Sequence, residues 1–175
     1  MSVKPDVDTF QNSWELEQLL AVVERLAPVS VLEVGTWHGG TLWHWLQFAG
    51  SVVAIDDEMR LAADWRQWAE EAGATLHLLQ GRSQDPAIVE QARELGPYDF
   101  IFIDGDHTYE AVKADWANYR DMVWPGGVFC FHDTQHIGDA TYGVEQLWGE
   151  ITSETDVRWM HLAQTTHCGI GILFL

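Results

Sequence analysis

The sequence predicts an α/β fold: a doubly wound, mostly parallel sheet of seven strands with an antiparallel strand at its C-terminal end. Three observations carry this. Short apolar runs alternate with segments whose apolar residues recur at helical spacing, an order that puts helices on both faces of a parallel sheet. Most of the unusual polar residues cluster immediately after those runs. The last two runs are joined only by Ala163 to Gly169, too short for a crossover, so they pair antiparallel.

Asn12 to Leu26 opens the chain as a helix. Asn12 is the expected N-cap with Glu15 three residues on, and Trp14, Leu19, Val22, Val23 and Leu26 form the apolar stripe. Ser30 to Val34 is a β-branched apolar run that stops at Gly35, and it reads as a buried strand. A helix over Thr41 to Ala49 follows, then a strand over Ser51 to Ile55 ending at Asp56, and a helix from Met59 to Ala72 stopped by Gly73. Thr75 to Leu79 is the third strand. Asp85-Pro86 starts another helix, since Pro at the first helical position loses no hydrogen bond. Phe100 to Ile103 is apolar throughout and ends at Asp104. The next helix is expected from Thr108 to Trp124, on the single face marked by Tyr109, Val112, Trp116, Tyr119 and Val123, with Pro125-Gly126-Gly127 as its terminator. Val128 to Phe131, a helix over Val144 to Glu154, and strands over Val157 to Leu162 and Ile170 to Leu175 complete the order.

Composition bounds the partners. The 175 residues fit one domain, with 47% hydrophobic residues to build its core. Only about ten residues precede the first helix, so a single minimal domain over 1–175 with no cap domain is expected. Nine Lys+Arg against 27 Asp+Glu give a formal charge of -18, which sets nucleic acid and anionic membrane surfaces aside as partners. No run reaches the roughly 18 apolar residues of a membrane span. Residues Met1 to Phe10 lack the apolar core of a signal peptide. Cys130 and Cys168 have no zinc-ligand spacing and read as free thiols, which fits the cytoplasm. Ten Trp supply core bulk, with aromatic surface left for a ligand or a homo-oligomer contact.

In such a sheet, ligands lie beyond the carboxyl ends of the strands. The first of those ends reads Glu33-Val34-Gly35-Thr36-Trp37-His38-Gly39-Gly40-Thr41. Gly35 permits a sharp turn, and Gly39 and Gly40 allow a ligand to approach a helix N-terminus whose free N–H groups suit an anion. Trp37 stands where the dinucleotide fingerprint G-x-G-x-x-G has its second Gly. Asp56, with Asp57 beside it, ends the second strand 21 residues after Gly35, where a carboxylate can accept from both hydroxyls of a ribose.

These features resemble the class I S-adenosylmethionine-dependent methyltransferases, whose sheet is Rossmann-like and ends in a reversed strand. The resemblance extends from about residue 12 to 175. It implies S-adenosylmethionine as cofactor, with Glu33, Gly35, Thr36, His38, Gly39, Gly40 and Thr41 in the first motif, Asp56 and Asp57 at the ribose, and Arg82 and Ser83 of Gly81-Arg82-Ser83-Gln84-Asp85 in the loop against the adenine. Asp104 is a further cofactor contact. Acidic groups suit the cofactor's sulfonium and ammonium, and the N–H groups near Gly39 to Thr41 suit its carboxylate.

The fourth and fifth strands end in Ile103-Asp104-Gly105-Asp106-His107-Thr108-Tyr109 and Phe131-His132-Asp133-Thr134. If those strands are neighbours, Asp104 and Asp133 can share a hard cation with an acceptor hydroxyl. Both runs resemble small-molecule O-methyltransferases of the macrocin and catechol types. That match implies Asp104, His132 and Asp133 as ligands of Mg²⁺ or another divalent cation, Asp104 and His107 as catalytic, and a small hydroxylated molecule as acceptor. His replaces a carboxylate at 132 and a lysine at 107, and imidazole suits transition ions better than Mg²⁺. Plainer roles compete: Asp104 as a helix cap, His132 as a hydrogen-bonded loop residue, Asp106 as a cap, His136 as a solvated loop histidine. Two other functions compete as well, a nicotinamide-dependent enzyme and an S-adenosylmethionine-binding partner subunit without catalysis.

Overall fold

The computed structural model describes residues 5–7, 9–135, 141–154, 156–165 and 167–175. The chain runs α1 (Ser13–Leu26), β1 (Ser30–Val34), α2 (Gly40–Phe48), β2 (Ser51–Asp56), α3 (Ala62–Ala72), β3 (Thr75–Gln80), α4 (Pro86–Leu95), β4 (Tyr98–Ile103), α5 (Tyr109–Tyr119), a 3₁₀ turn (Arg120–Met122), β5 (Val123–His132), α6 (Val144–Glu154), β6 (Arg158–Leu162) and β7 (Ile170–Phe174). The seven strands form one sheet in the order β3-β2-β1-β4-β5-β7-β6. All pairs are parallel except those of β7, which runs antiparallel to both β5 and β6. The order reverses between β1 and β4, and there the carboxyl ends of neighbouring strands open a crevice.

Strand alternation sends one set of residues to each face. Phe100, Phe102, Val52, Ala54 and Cys130 meet α1, α2 and α3 through Leu19, Val23, Trp45, Leu46 and Trp65. Ile101, Ile103, Val53, Ile55, Phe129 and Phe131 meet α4, α5 and α6 through Ile88, Val112, Tyr119, Leu147 and Trp148. Cover on both faces is why the central strands are mainly apolar, with Glu33 of β1 as a buried exception.

Several boundaries differ from the sequence expectation. Helix α5 stops at Tyr119 rather than Trp124 and tightens into the 3₁₀ turn Arg120–Met122, while Val123 still packs on the core and Trp124 is 51% exposed. Pro125-Gly126-Gly127 therefore terminates no helix and lies inside β5. Pairing resumes directly after the Pro, where Gly126 N donates to Leu175 O and Leu175 N donates to Gly127 O at 3.0 Å, while Val123 pairs with Tyr98 before it. Helix α3 begins at Ala62 rather than Met59.

Asn12 caps α1 as expected, accepting from the N–H groups of Trp14 at 3.0 Å and Glu15 at 3.3 Å. Glu15 is not its reciprocal partner. The carboxylate is fully buried and accepts from Gln164 N at 2.9 Å and Gly169 N at 3.0 Å, tying α1 to the β6–β7 loop. Trp14 sits off the buried stripe, 39% exposed. Replacing Glu15 with Ala strands both donors without water, so chemical denaturation should show a loss of about 3 kcal/mol. A loss below about 1 kcal/mol would mean that the loop finds other acceptors.

Candidate active site

The turn after β1 is set by backbone constraints. Gly35 has φ +84°, and a Cβ there would lie 2.0 Å from the Asp104 carbonyl oxygen, so the turn and the end of β4 touch at a point only glycine fits. Gly39, at φ +82°, supplies no side-chain cap to α2, leaving the first N–H groups of that helix without an intrahelical acceptor. Asp56 closes the turn from β2. Its Oδ2 accepts from Thr36 N at 2.8 Å and Trp37 N at 2.7 Å, and its Oδ1 accepts from Glu58 N at 2.8 Å. Backbone thus takes three of the acceptor positions on this carboxylate. Asp56 also holds Trp37 at φ +47°, with the indole stacked on His38 at 3.7 Å between ring centroids and meeting Phe10 edge-on at 4.3 Å.

A cleft of about 510 Å³ opens at these strand ends. Of the residues singled out in the sequence, Gly35, Thr36, Gly40, Thr41, Asp56, Asp57, Arg82, Ser83, Asp104 and His107 line it. Glu33, His38 and Gly39 do not. Glu33 lies beneath the turn, fully buried, with its Oε1 accepting from Trp45 Nε1 at 2.6 Å. Burial pushes its carboxyl up to about 8, against the hydrogen bond from Trp45. At neutral pH it is an uncharged prop rather than an anion for a sulfonium. Arg82 is 65% exposed and lies 3.5 Å from Asp106 at the rim. Asp106 caps the loop, accepting from Thr108 N at 3.0 Å.

The opposite wall, Gly81 to Gln84, is fixed from α5. Tyr119 donates to Ser83 O at 2.6 Å, and Gln84 Nε2 donates to Asp115 Oδ1 at 2.8 Å. Asp115 is fully buried, and burial raises its carboxyl to about 6. The sequence carried a signal for Asp115 that went unread, since its spacing from Val112 and Tyr119 places it on the buried face of α5. Phe10 and Gln11 also line the cleft, and no local pattern announces them.

Beside the cleft, the ends of β4 and β5 meet as the motifs required. His132 Nδ1 lies 3.1 Å from Asp104 Oδ1 and 3.3 Å from Asp133 Oδ2. His107 Nε2 lies 3.2 Å from Asp133 Oδ2 and 3.5 Å from Asp104 Oδ1. Neither nitrogen makes a hydrogen bond of acceptable geometry, although both are shut off from solvent. Two nitrogens and two carboxylate oxygens therefore face a common space. His132 and Asp133 are buried, and Asp133 is held at φ +57°. Cys168 Sγ lies within 4.8 Å of ligand atoms of His132 and Asp133, as the side chains of Asp104, His107 and Asp133 do of one another. Burial alone would raise the Asp104 carboxyl, but the neighbouring His132 and His107 outweigh it and hold it down to about 2. Burial opposes charge on His132 and His107 too, and the carboxylates overcome it and raise both. The donor set fits a divalent cation: two carboxylates suit a hard ion and the imidazole a transition ion. His136 falls outside the described residues.

A family model described as a methyltransferase domain matches residues 32–134. Demethylmacrocin O-methyltransferase of Streptomyces fradiae is 31% identical over 119 residues, covering 62% of this chain and 28% of that protein. The chain spans 18% to 28% of the length of the curated relatives it matches. Among solved structures, the O-methyltransferase TomG of Streptomyces achromogenes in complex with SAM superposes with a TM-score of 0.75 at 17% identity, over 98% of this chain and 82% of that one. The methyltransferase MycE in complex with Mg and SAH gives 0.68 at 18% identity, over 97% and 51%. At such identities the likeness is one of fold.

Proposed function

We propose that this chain, which belongs to the methyltransferase domain family, transfers the methyl group of S-adenosylmethionine to a hydroxyl oxygen of a small molecule, with a divalent cation at the Asp104–His132–Asp133 cluster. The observation that carries this is the convergence of His107 Nε2 and His132 Nδ1 on both carboxylates without hydrogen-bond geometry, at the edge of a cleft lined by the Gly35–Thr41 turn. Ligand atoms with their lone pairs aimed at one point need a cation or protons between them.

When bound, the cofactor supplies an electrophilic methyl on a sulfonium, and the cation lowers the pKa of a hydroxyl bound to it. The chain's own residues do the rest. The uncapped N–H groups of α2 bind a carboxylate. Asp104 holds one oxygen toward the histidines and the other toward the cleft. His107 takes the acceptor's proton at Nε2, where Asp104 and Asp133 stabilise the resulting imidazolium. The methyl lost from the sulfonium would be matched by the new C–O bond, and the hydroxyl proton would end on His107. The charge of -18 disfavours a nucleic-acid acceptor. The free thiols Cys130 and Cys168 fit a cytoplasmic setting. No helix among the described residues is long and apolar enough to cross a membrane.

S-adenosylhomocysteine at a hundredfold excess over its Kd should raise the melting temperature by about 6 °C. No shift at millimolar ligand in a folded sample would sink the methyltransferase reading. A chelator should abolish turnover, with Mn²⁺ or Mg²⁺ restoring it. Undiminished turnover in chelator would remove the cation and leave methyl transfer standing.

A further inference from the structure

The segment before α1 reaches into the cleft. Thr9, Phe10 and Gln11 line it together with Gly40 and Thr41 of the α2 N-terminus, and Phe10 packs against Trp37 of the cofactor turn. Gln11 is held in place by the next residue, since Asn12 caps α1. Its Nε2 donates to Asp104 Oδ2 at 2.6 Å, the carboxylate oxygen turned away from the two histidines. Its Oε1 is shut off from solvent and has no hydrogen-bond partner. Leaving a buried acceptor unpaired is costly, so this oxygen awaits a donor.

We infer that Gln11 recognises the α-ammonium of the cofactor's amino-acid end. The inference rests on the methyltransferase reading and adds a residue to it. Asp104 Oδ2 already accepts from Gln11 Nε2, so Gln11 Oε1 is the acceptor left open, and an open amide oxygen next to a carboxylate suits a cation rich in N–H groups. The amino-acid end carries such an ammonium on the same carbon as a carboxylate. The uncapped N–H groups of α2 take the carboxylate, and Gln11 with Asp104 Oδ2 takes the ammonium. The Gln11 amide also orients Asp104 by donating to one oxygen, which leaves Oδ1 for the histidine side. Gln11 thus links the cofactor half of the site to the acceptor half without taking part in the chemistry.

Calorimetric titration of the full chain with S-adenosylhomocysteine and with 5′-methylthioadenosine, which lacks the amino-acid end, tests this. Gln11→Leu and Gln11→Met should each weaken S-adenosylhomocysteine about tenfold and leave 5′-methylthioadenosine unchanged. Gln11 precedes the first helix, and an unchanged melting temperature confirms that the variants fold. Equal weakening of both ligands would make Gln11 a prop of the cleft and overturn the assignment. So would unchanged affinity for both, including the case in which the variants alter only Mn²⁺ binding. If the wild-type chain fails to bind S-adenosylhomocysteine at all, the methyltransferase reading falls before the role of Gln11 is reached.

Discussion

Asp104→Asn should lower kcat by about 10²–10³-fold and weaken cofactor-product binding as well, whereas Asp133→Asn should lower kcat by a similar factor and leave that binding intact. The difference follows from position. Asp104 lines the cleft and accepts from Gln11 on one oxygen while facing His132 and His107 with the other. Asp133 is 8% exposed, meets both histidines and does not line the cleft. Asn keeps the shape of each carboxylate and removes its charge, so the loss reads as electrostatic rather than steric. Both variants leave an imidazole facing one carboxylate instead of two, and both stabilise a proton or a cation there less well. Thermal melts separate folding from function. Asp104 is ionised down to about pH 2 in the folded chain, so its contribution to stability is present above its unfolded pKa and is lost only as the pH falls through about 2. A destabilised Asp104→Asn at neutral pH is therefore expected, and Asp133→Asn carries the test if it fails to fold. Wild-type turnover in both variants would overturn the proposed chemistry.

The motifs at the ends of β4 and β5 were legible because parallel neighbours bring their carboxyl ends side by side, whatever lies between them in sequence. Asp104 and Asp133 are 29 residues apart in the chain, and the sheet register pairs Ile103 with Phe131 immediately before them. The reversed last strand was legible from a loop too short to cross over. What was not legible depended on choices between polar partners that spacing does not settle. Asp56 accepts from the backbone of Thr36 and Trp37, a duty its place at a strand end does not reveal. Glu15 was expected to cap its own helix, and it serves a loop more than 140 positions away, at Gln164 and Gly169. In each case a carboxylate has several donors within reach, and the tertiary fold decides which are buried and in need of it. Gln11 belongs here too, since only the packing of the N-terminal segment over the cleft gives it a role.

Glu33 shows how the same turn is tuned from below, and it yields the second large effect. The carboxyl sits fully buried under the cofactor turn, and burial raises it from 4.5 to about 8. The folded chain therefore holds a proton that the unfolded chain releases. That stabilisation is fully present below pH 4.5 and is lost as the pH rises through about 8, to a total on the order of 4 kcal/mol. Asp115 acts in the same sense at lower pH, raised from 3.8 to about 6, and the raised His132 and His107 contribute in the same direction. The wild-type curve alone does not isolate Glu33, so the comparison that does is with Glu33→Gln. Gln keeps an oxygen for Trp45 Nε1 and has no charge to expose. Between pH 6 and 8.5 the melting temperature of the wild type should fall more steeply than that of Glu33→Gln, and the two curves should diverge as the pH rises. Because the turn above this carboxyl supplies Thr36 and Thr41 to the cleft, cofactor-product affinity should decline over the same window in the wild type and hold in the variant. Parallel melting curves would show that Glu33 is ionised in the folded chain at neutral pH, and would return a buried anion to the floor of the cofactor turn.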